Sequence, residues 1–309
     1  MDTTRYGTLH DVRICRTLGS DIEMAKCFVP SKCQENNAVP LLVALHEWSN
    51  DYMGERNLRR YFSEAEQREW AFVFPDFCGQ NNRPEACAST LALNDVKLAV
   101  EFMKEYTCID DKRIFLVGAS GGGHMALMSA ASFPHIWAAV SAWVPITDLA
   151  AWYRQVKTRN LKYTNDLEAI CGGPPGTSAE IDREYTARSP VNHLYKAAGL
   201  NIDINAGILD GHTGSVPVSH SLNAFNLLAE ANGAPEKKIT QEQIDKMTAA
   251  PDFTRGLSSE YADHEKEGRD RRILFRRSAG PVRVTIFEGG HEIDIPAALR
   301  WLSEKKRSC

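Results

Sequence analysis

The stretch Arg113-Ile114-Phe115-Leu116-Val117-Gly118-Ala119-Ser120-Gly121-Gly122 changes character at Gly118. An apolar, strand-like run gives way to a GxSxG pattern, and a helical stretch carrying Met125, Ala126 and Met128 follows. A strand that breaks at small residues into a helix makes a sharp, strained turn. Such a turn lifts a serine hydroxyl clear of the sheet, with free N–H groups and the positive end of the helix dipole beside it. Ser120 is therefore the candidate nucleophile. The competing reading, a glycine-rich turn that cradles phosphate, calls for GxGxxG after the first strand, whereas this pattern follows several strands.

Outward from this turn, short apolar runs alternate with helical patterns. Pro40–Leu45 ends at His46, Ala71–Pro75 ends at Asp76, and Leu91–Tyr106 sets Leu91, Val96, Ala99, Val100 and Met103 on one helical stripe. Further strands are predicted at Ala138–Val144, Ile202–Ile208, Ile273–Arg277 and Val282–Phe287, with helices at His220–Asn232 and Pro296–Lys305. This alternation predicts an α/β chain, a mostly parallel sheet flanked by helices, in one domain over 1–309. Pro, Gly and mixed helical pieces make 147–199 a small cap-like insertion, and polar sequence makes 237–270 a surface helical insertion.

The 309 residues, 43% hydrophobic and 25% charged, have the composition of a chain that folds, which excludes disorder, collagen-like repeats and coiled-coil fibres. A net charge of -4, from 36 Lys and Arg against 40 Asp and Glu, offers no basic excess for nucleic acid. No apolar run is long enough for a membrane helix, and the start lacks a signal pattern. The expectation is a soluble chain, either cytoplasmic or secreted with its signal already removed. Eight cysteines are too few for a disulfide scaffold. Cys27 with Cys33 and Cys78 with Cys87 are near enough in sequence to bridge, and free thiols are the alternative.

A nucleophilic serine needs a base and an acid that orients it, and one chain order for such a set is serine, acid, histidine. Phe287-Glu288-Gly289-Gly290-His291 places a histidine at a strand end just before the last helix. His46, His124 and His212 are the alternatives; His124 lies on the same helix as Ser120. Asp210 follows the strand that ends at Ile208 and is the candidate acid, accepting Nδ1–H of His291. Its rival Asp148, ahead of Leu149-Ala150-Ala151-Trp152, reads as a helix N-cap. An oxyanion site takes the N–H of Gly121 and a second donor from the loop after the first predicted strand, Glu47 or Trp48.

Gly118 to His124, Arg188-Ser189-Pro190, Asp210 ahead of Val216-Pro217, and Gly290-His291, in this order, resemble the α/β-hydrolase superfamily. Within it they are similar to the catalytic domains of prolyl oligopeptidase-type and acetyl xylan esterase-like hydrolases. The resemblance runs from about Pro40 to Leu302. It implies the α/β-hydrolase fold and hydrolysis through an acyl-enzyme, with no metal and no organic cofactor. Two departures stand out. Glu47 occupies a place where most relatives have glycine, and the stretch from Asp210 to Pro217 is longer than the usual Asp-x-x-Val-Pro. The residues ahead of Pro40 are too few for the propeller of a prolyl oligopeptidase, so a stand-alone esterase is expected.

The resulting expectation is a serine hydrolase of carbohydrate-linked or small carboxylic esters, with an acetyl, feruloyl or uronate group. Trp48, Trp143 and Trp152 are candidates for an aromatic surface, although core packing is the stronger reading for Trp143 inside its strand. Asn81, Asn82 and Arg83, in the loop after Asp76, are candidates for contacts with sugar hydroxyls or a carboxylate. A peptidase on short peptides is the alternative enzyme. A binding protein retaining the fold is the non-enzymatic alternative, disfavoured because binding does not require all of Ser120, Asp210 and His291.

Overall fold

The computed structural model of the protein describes residues 6–16, 22–33, 37–250 and 271–307. Its strands are β1 (His10–Cys15), β2 (Ile22–Phe28), β3 (Val39–Leu45), β4 (Ala71–Pro75), β5 (Ile109–Ala119), β6 (Ala139–Trp143), β7 (Asn201–Gly207), β8 (Ile273–Ala279) and β9 (Val282–Phe287). Among the described residues they form one sheet in the order β1-β2-β4-β3-β5-β6-β7-β9-β8. Pairing is parallel from β4 through β9, and antiparallel where β2 meets β1 and β4 and where β8 meets β9. The central strands are covered on both faces and read as unbroken apolar runs; every residue of β3, β4 and β6 is buried.

The edge hairpin β1–β2 has no counterpart among the strands predicted from the sequence. Asp11, Arg13 and Lys26 interrupt its apolar residues because only one face of the hairpin packs on the core, and Glu23 interrupts them as a buried charge on the packed face. Likewise β5 starts at Ile109, well ahead of Arg113, where its pairing with β3 shifts register.

Crossover handedness locates the site. The connection from β3 through α1 (Glu55–Gln67) to β4 runs one way along the sheet. From β4 through α2 (Thr90–Tyr106) to β5, and through α3 (Gly121–Ser132) to β6, it runs the other way. Right-handed crossovers therefore send α1 to one face and α2 and α3 to the opposite face. The chain leaves β3 and its neighbour β5 toward opposite faces, and the crevice between their carboxyl ends is where such sheets bind ligands. Ser120 directly follows β5, and His46-Glu47-Trp48 directly follows β3.

Between β6 and β7 lie α4 (Leu149–Thr158), α5 (Tyr163–Cys171) and α6 (Ala179–Ala187). They enclose a small core of their own, with Leu149, Trp152, Leu167 and Tyr185, which also takes in Trp48, Cys87 and Val216 from three loops of the main fold. Helix α7 (Ser219–Ala231) follows β7, then α8 (Gln241–Ala249), and α9 (Ile295–Ser303) closes the chain. Of the predicted surface insertion, α8 is described, with Ile244 and Met247 buried; 251–270 lie outside the described residues. No helix among the described residues is long and apolar enough to cross a membrane.

A buried charge cluster ties the edge hairpin to the sheet. Arg16 donates to Asp95 at 2.8 and 2.6 Å and to Glu23 Oε2 at 3.1 Å, and the Phe77 N–H donates to Glu23 Oε1 at 2.5 Å. Burial, with the charges of Asp95 and Asp76, raises the Glu23 carboxyl from 4.5 to about 8. The folded protein thus keeps a proton that the unfolded chain releases. Stability should fall as pH rises from 4.5 to about 8 and level off above that. Glu23→Gln should remove this slope, worth on the order of a few kcal/mol across the window. Urea midpoints that follow pH in parallel for the two proteins would refute the assignment.

Candidate active site

Ser120 occupies the turn from β5 into α3 with φ 57° and ψ -119°, a conformation that costs a non-glycine residue about 1–3 kcal/mol. The turn is tight enough that a Cβ on Gly118 would lie 2.3 Å from the Gly122 carbonyl oxygen. The Ser120 N–H donates to the Trp143 carbonyl at 2.9 Å, which fixes the turn against β6.

His291 arrives on the loop from β9 to α9, and its Nε2 lies 2.8 Å from Ser120 Oγ. Its Nδ1 lies 2.7 Å from Asp210 Oδ2, on the loop after β7. A carboxylate only accepts, so Nδ1 carries the imidazole proton and Nε2 presents a lone pair to the serine hydroxyl. Asp210 is buried, and its other oxygen accepts the N–H groups of Gly211 at 2.9 Å and Val216 at 3.1 Å. A hydroxyl, an imidazole and an oriented carboxylate in line can pass a proton from oxygen to nitrogen while the carboxylate stabilises the imidazolium.

The residue whose amide packs against Gly121 is Trp48. A Cβ on Gly121 would lie 2.5 Å from Trp48 N, so the two backbones nearly touch. Neither N–H has an acceptor among the described residues, leaving a pair of donors beside Ser120. The Glu47 carboxylate is instead taken by Asn57 Nδ2 at 2.7 Å and Asn50 Nδ2 at 3.4 Å.

The aromatic surface expected from the sequence is not exposed. Trp48 is 2% and Trp152 1% exposed, packed edge to face with ring centres 4.8 Å apart. Their indole N–H groups donate to Asp166 Oδ2 at 3.0 Å and to the Ser215 carbonyl at 2.8 Å. The insertion needs large apolar side chains for its small core, and these rings supply them. Trp143 is buried inside β6, as core packing requires.

The loop after β4 is partly exposed, with Asn82 and Arg83 at the surface. Arg83 donates through both Nε and Nη2 to the Cys78 carbonyl and so ties its own turn. Asn81 is buried, accepting the Cys87 N–H at 2.7 Å, while Asn82 is exposed.

The competing residues are occupied elsewhere. Asp148 caps α4 through the Ala151 N–H at 2.9 Å and lines a cavity of about 850 Å³ with Gln155, His220 and Lys238, which contains none of Ser120, Asp210 and His291. His124 is buried, donates to the Arg188 carbonyl at 2.7 Å, and is pushed down to about 4 by burial. His46 is buried between the carbonyls of Glu47 and Asp76, and His212 lies on the surface against the Thr248 carbonyl. The described cysteines are free, Cys27, Cys33, Cys78 and Cys87 among them, so neither suggested bridge is present. Among the described residues no group of three or more His, Cys, Asp or Glu could hold a metal ion. Two side chains that no motif marks, Arg159 and Asp166, reach from the insertion to the loops of the site.

No curated protein sequence matches the chain. Among solved structures it is similar to a thermostable esterase, at 16% identity and TM-score 0.58, over 97% of this chain and 63% of that one. It is also similar to the acylaminoacyl peptidase of Pyrococcus horikoshii, at 14% identity and TM-score 0.56, over 72% of this chain and 35% of that one. A prolyl endopeptidase shares 15% identity and TM-score 0.56 over 72% of this chain and 32% of that one. The chain thus spans less than two thirds of each of these proteins, and the likeness establishes the α/β-hydrolase fold. The sequence profile of the prolyl oligopeptidase family matches residues 84–243, more than half of the chain, from the loop after β4 through the serine turn, the insertion and the Asp210 loop. Sheet, serine turn and profile agree, and the chain belongs to the prolyl oligopeptidase family of serine hydrolases.

Proposed function

We propose that the protein hydrolyses small carboxylic esters through an acyl-enzyme on Ser120. The observation that carries this reading is the hydrogen-bond chain from Ser120 Oγ through His291 to Asp210. In the first step His291 Nε2 takes the hydroxyl proton as Ser120 Oγ bonds to the ester carbonyl carbon. The negative oxygen is received by the N–H groups of Gly121 and Trp48. Collapse expels the alcohol, which leaves with the proton from His291. Water, deprotonated by the same nitrogen, then attacks the acyl group and releases the acid and free Ser120.

Burial of Trp48 and Trp152 withdraws the aromatic surface that pointed to a sugar ring, so an acetyl or similarly small acyl group leads the reading and a carbohydrate alcohol follows it. Membership of the prolyl oligopeptidase family keeps a peptidase as the second reading. The test is a comparison of p-nitrophenyl acetate, acetylated xylo-oligosaccharide, methyl ferulate and a methyl uronate with a prolyl p-nitroanilide. Ester kcat/KM should exceed that of the anilide by orders of magnitude. The reverse order installs the peptidase, and failure of Ser120 to label with a fluorophosphonate removes both in favour of a binding protein.

A further inference from the structure

The Asp210 loop and the Trp48 amide share a support outside the main fold. Arg159, at the end of α4, donates from Nη1 to the carbonyls of Gly211 at 2.9 Å and Gly214 at 2.5 Å, and from Nη2 to that of His212 at 3.3 Å. Trp152 of the same helix holds the next carbonyl, that of Ser215. This is the stretch that is longer than the usual Asp-x-x-Val-Pro, and its extra turn folds back onto the acid. A Cβ on Gly214 would lie 2.2 Å from Asp210 Oδ1 and 2.6 Å from His291 Cβ. A peptide held by the Arg159 guanidinium therefore packs against both the Asp210 carboxylate and the Cβ of His291.

On the other side of the serine, Asp166 of α5 accepts the Trp48 indole N–H at 3.0 Å. The Trp48 carbonyl accepts the Asn81 N–H at 2.9 Å, and its own N–H is left free beside Gly121. The ring packs against Trp152 and Tyr163 of the insertion and His124 of α3, so the insertion bears directly on the residue that carries this amide.

We infer that the insertion between β6 and β7 is the positioning element of the active site, acting through Arg159 on the Asp210–His291 pair and through Asp166 on the oxyanion donor. The inference rests on the reading of Ser120, His291 and Asp210 given above. Arg159 and Asp166 are positioning residues, because neither touches Ser120. Supporting shells of this kind hold reacting groups to fractions of an ångström, and a displacement of about 1 Å can cost up to roughly 100-fold.

The experiment measures p-nitrophenyl acetate hydrolysis, fluorophosphonate labelling rate and melting temperature for Arg159→Ala, Asp166→Ala, Asp166→Asn and Glu168→Gln. Glu168 serves as the control inside the insertion, where it accepts the Tyr153 hydroxyl at 2.5 Å. Arg159→Ala and Asp166→Ala should each lower kcat and labelling rate roughly 10- to 100-fold with KM little changed. Asp166→Asn, whose amide oxygen still accepts the indole N–H, should recover most of the loss, and Glu168→Gln should keep wild-type kcat. Wild-type kcat in Arg159→Ala and Asp166→Ala overturns the inference, as does a loss that Glu168→Gln shares in proportion to its melting temperature. An unlabelled wild-type protein instead overturns the underlying reading of Ser120.

Discussion

Ser120→Ala is expected to lose ester turnover by roughly 10⁴- to 10⁶-fold and to take no label from a fluorophosphonate, while folding as the parent does. The size of the effect follows from what the side chain does. In the proposed mechanism the proton transfer to His291 and the bond to the acyl carbon both involve Oγ, so without it neither step has a starting atom. The fold is spared for equally specific reasons. Ser120 Oγ makes one hydrogen bond among the described residues, to His291 at 2.8 Å. Losing such a bond costs about 1 kcal/mol. The turn is fixed by backbone instead, through the Ser120 N–H on the Trp143 carbonyl and the close approach of Gly118 to Gly122. Melting temperature and turnover measured on the same preparation check both halves. Undiminished turnover in a folded Ser120→Ala protein removes the mechanism.

Asp210→Asn should be nearly as severe, lowering kcat by about 10⁴-fold with KM little changed. An amide nitrogen facing His291 Nδ1 donates where the carboxylate accepted. The imidazole then carries its proton on Nε2, and the Ser120 hydroxyl faces a donor in place of a base. The other side-chain oxygen remains an acceptor for the Gly211 and Val216 N–H groups, so the loop keeps its shape. Asp148→Asn is the matched comparison, since Asp148 caps α4 and lines a cavity apart from Ser120 and His291. It should retain wild-type kcat and lose at most about 1 kcal/mol of stability. If Asp148→Asn carries the large loss and Asp210→Asn does not, the acid has been misassigned.

Part of this architecture is legible without coordinates because it is written in local chemistry. The elbow announces itself through adjacent small residues after an apolar strand, since only small residues let β5 turn so abruptly into α3. The buried parallel strands are unbroken apolar runs, and His291 and Asp210 stand at strand ends that such runs delimit. The edge hairpin escapes the same reading because Arg13, Glu23 and Lys26 dilute its apolar residues, and Glu23 is buried there against the Phe77 N–H, far along the chain. The tryptophans mislead for a related reason. An indole looks the same in sequence whether it faces a ligand or fills a core, and burial of Trp48 and Trp152 depends on helices contributed by 147–199.

The α/β class, the strand-to-helix turn at Ser120 and the positions of Asp210 and His291 just after strand ends are legible in the chain's own pattern. These follow from periodicity and from residues within a few positions of one another. The folded chain is needed to show that the Trp48 amide lies against Gly121, that Arg83 ties its own turn, and that Arg159 and Asp166 reach the loops of the site. Apart from the Arg83–Cys78 turn, those contacts join segments tens of residues apart, and they are set by crossover handedness and by packing in the small core rather than by any local pattern.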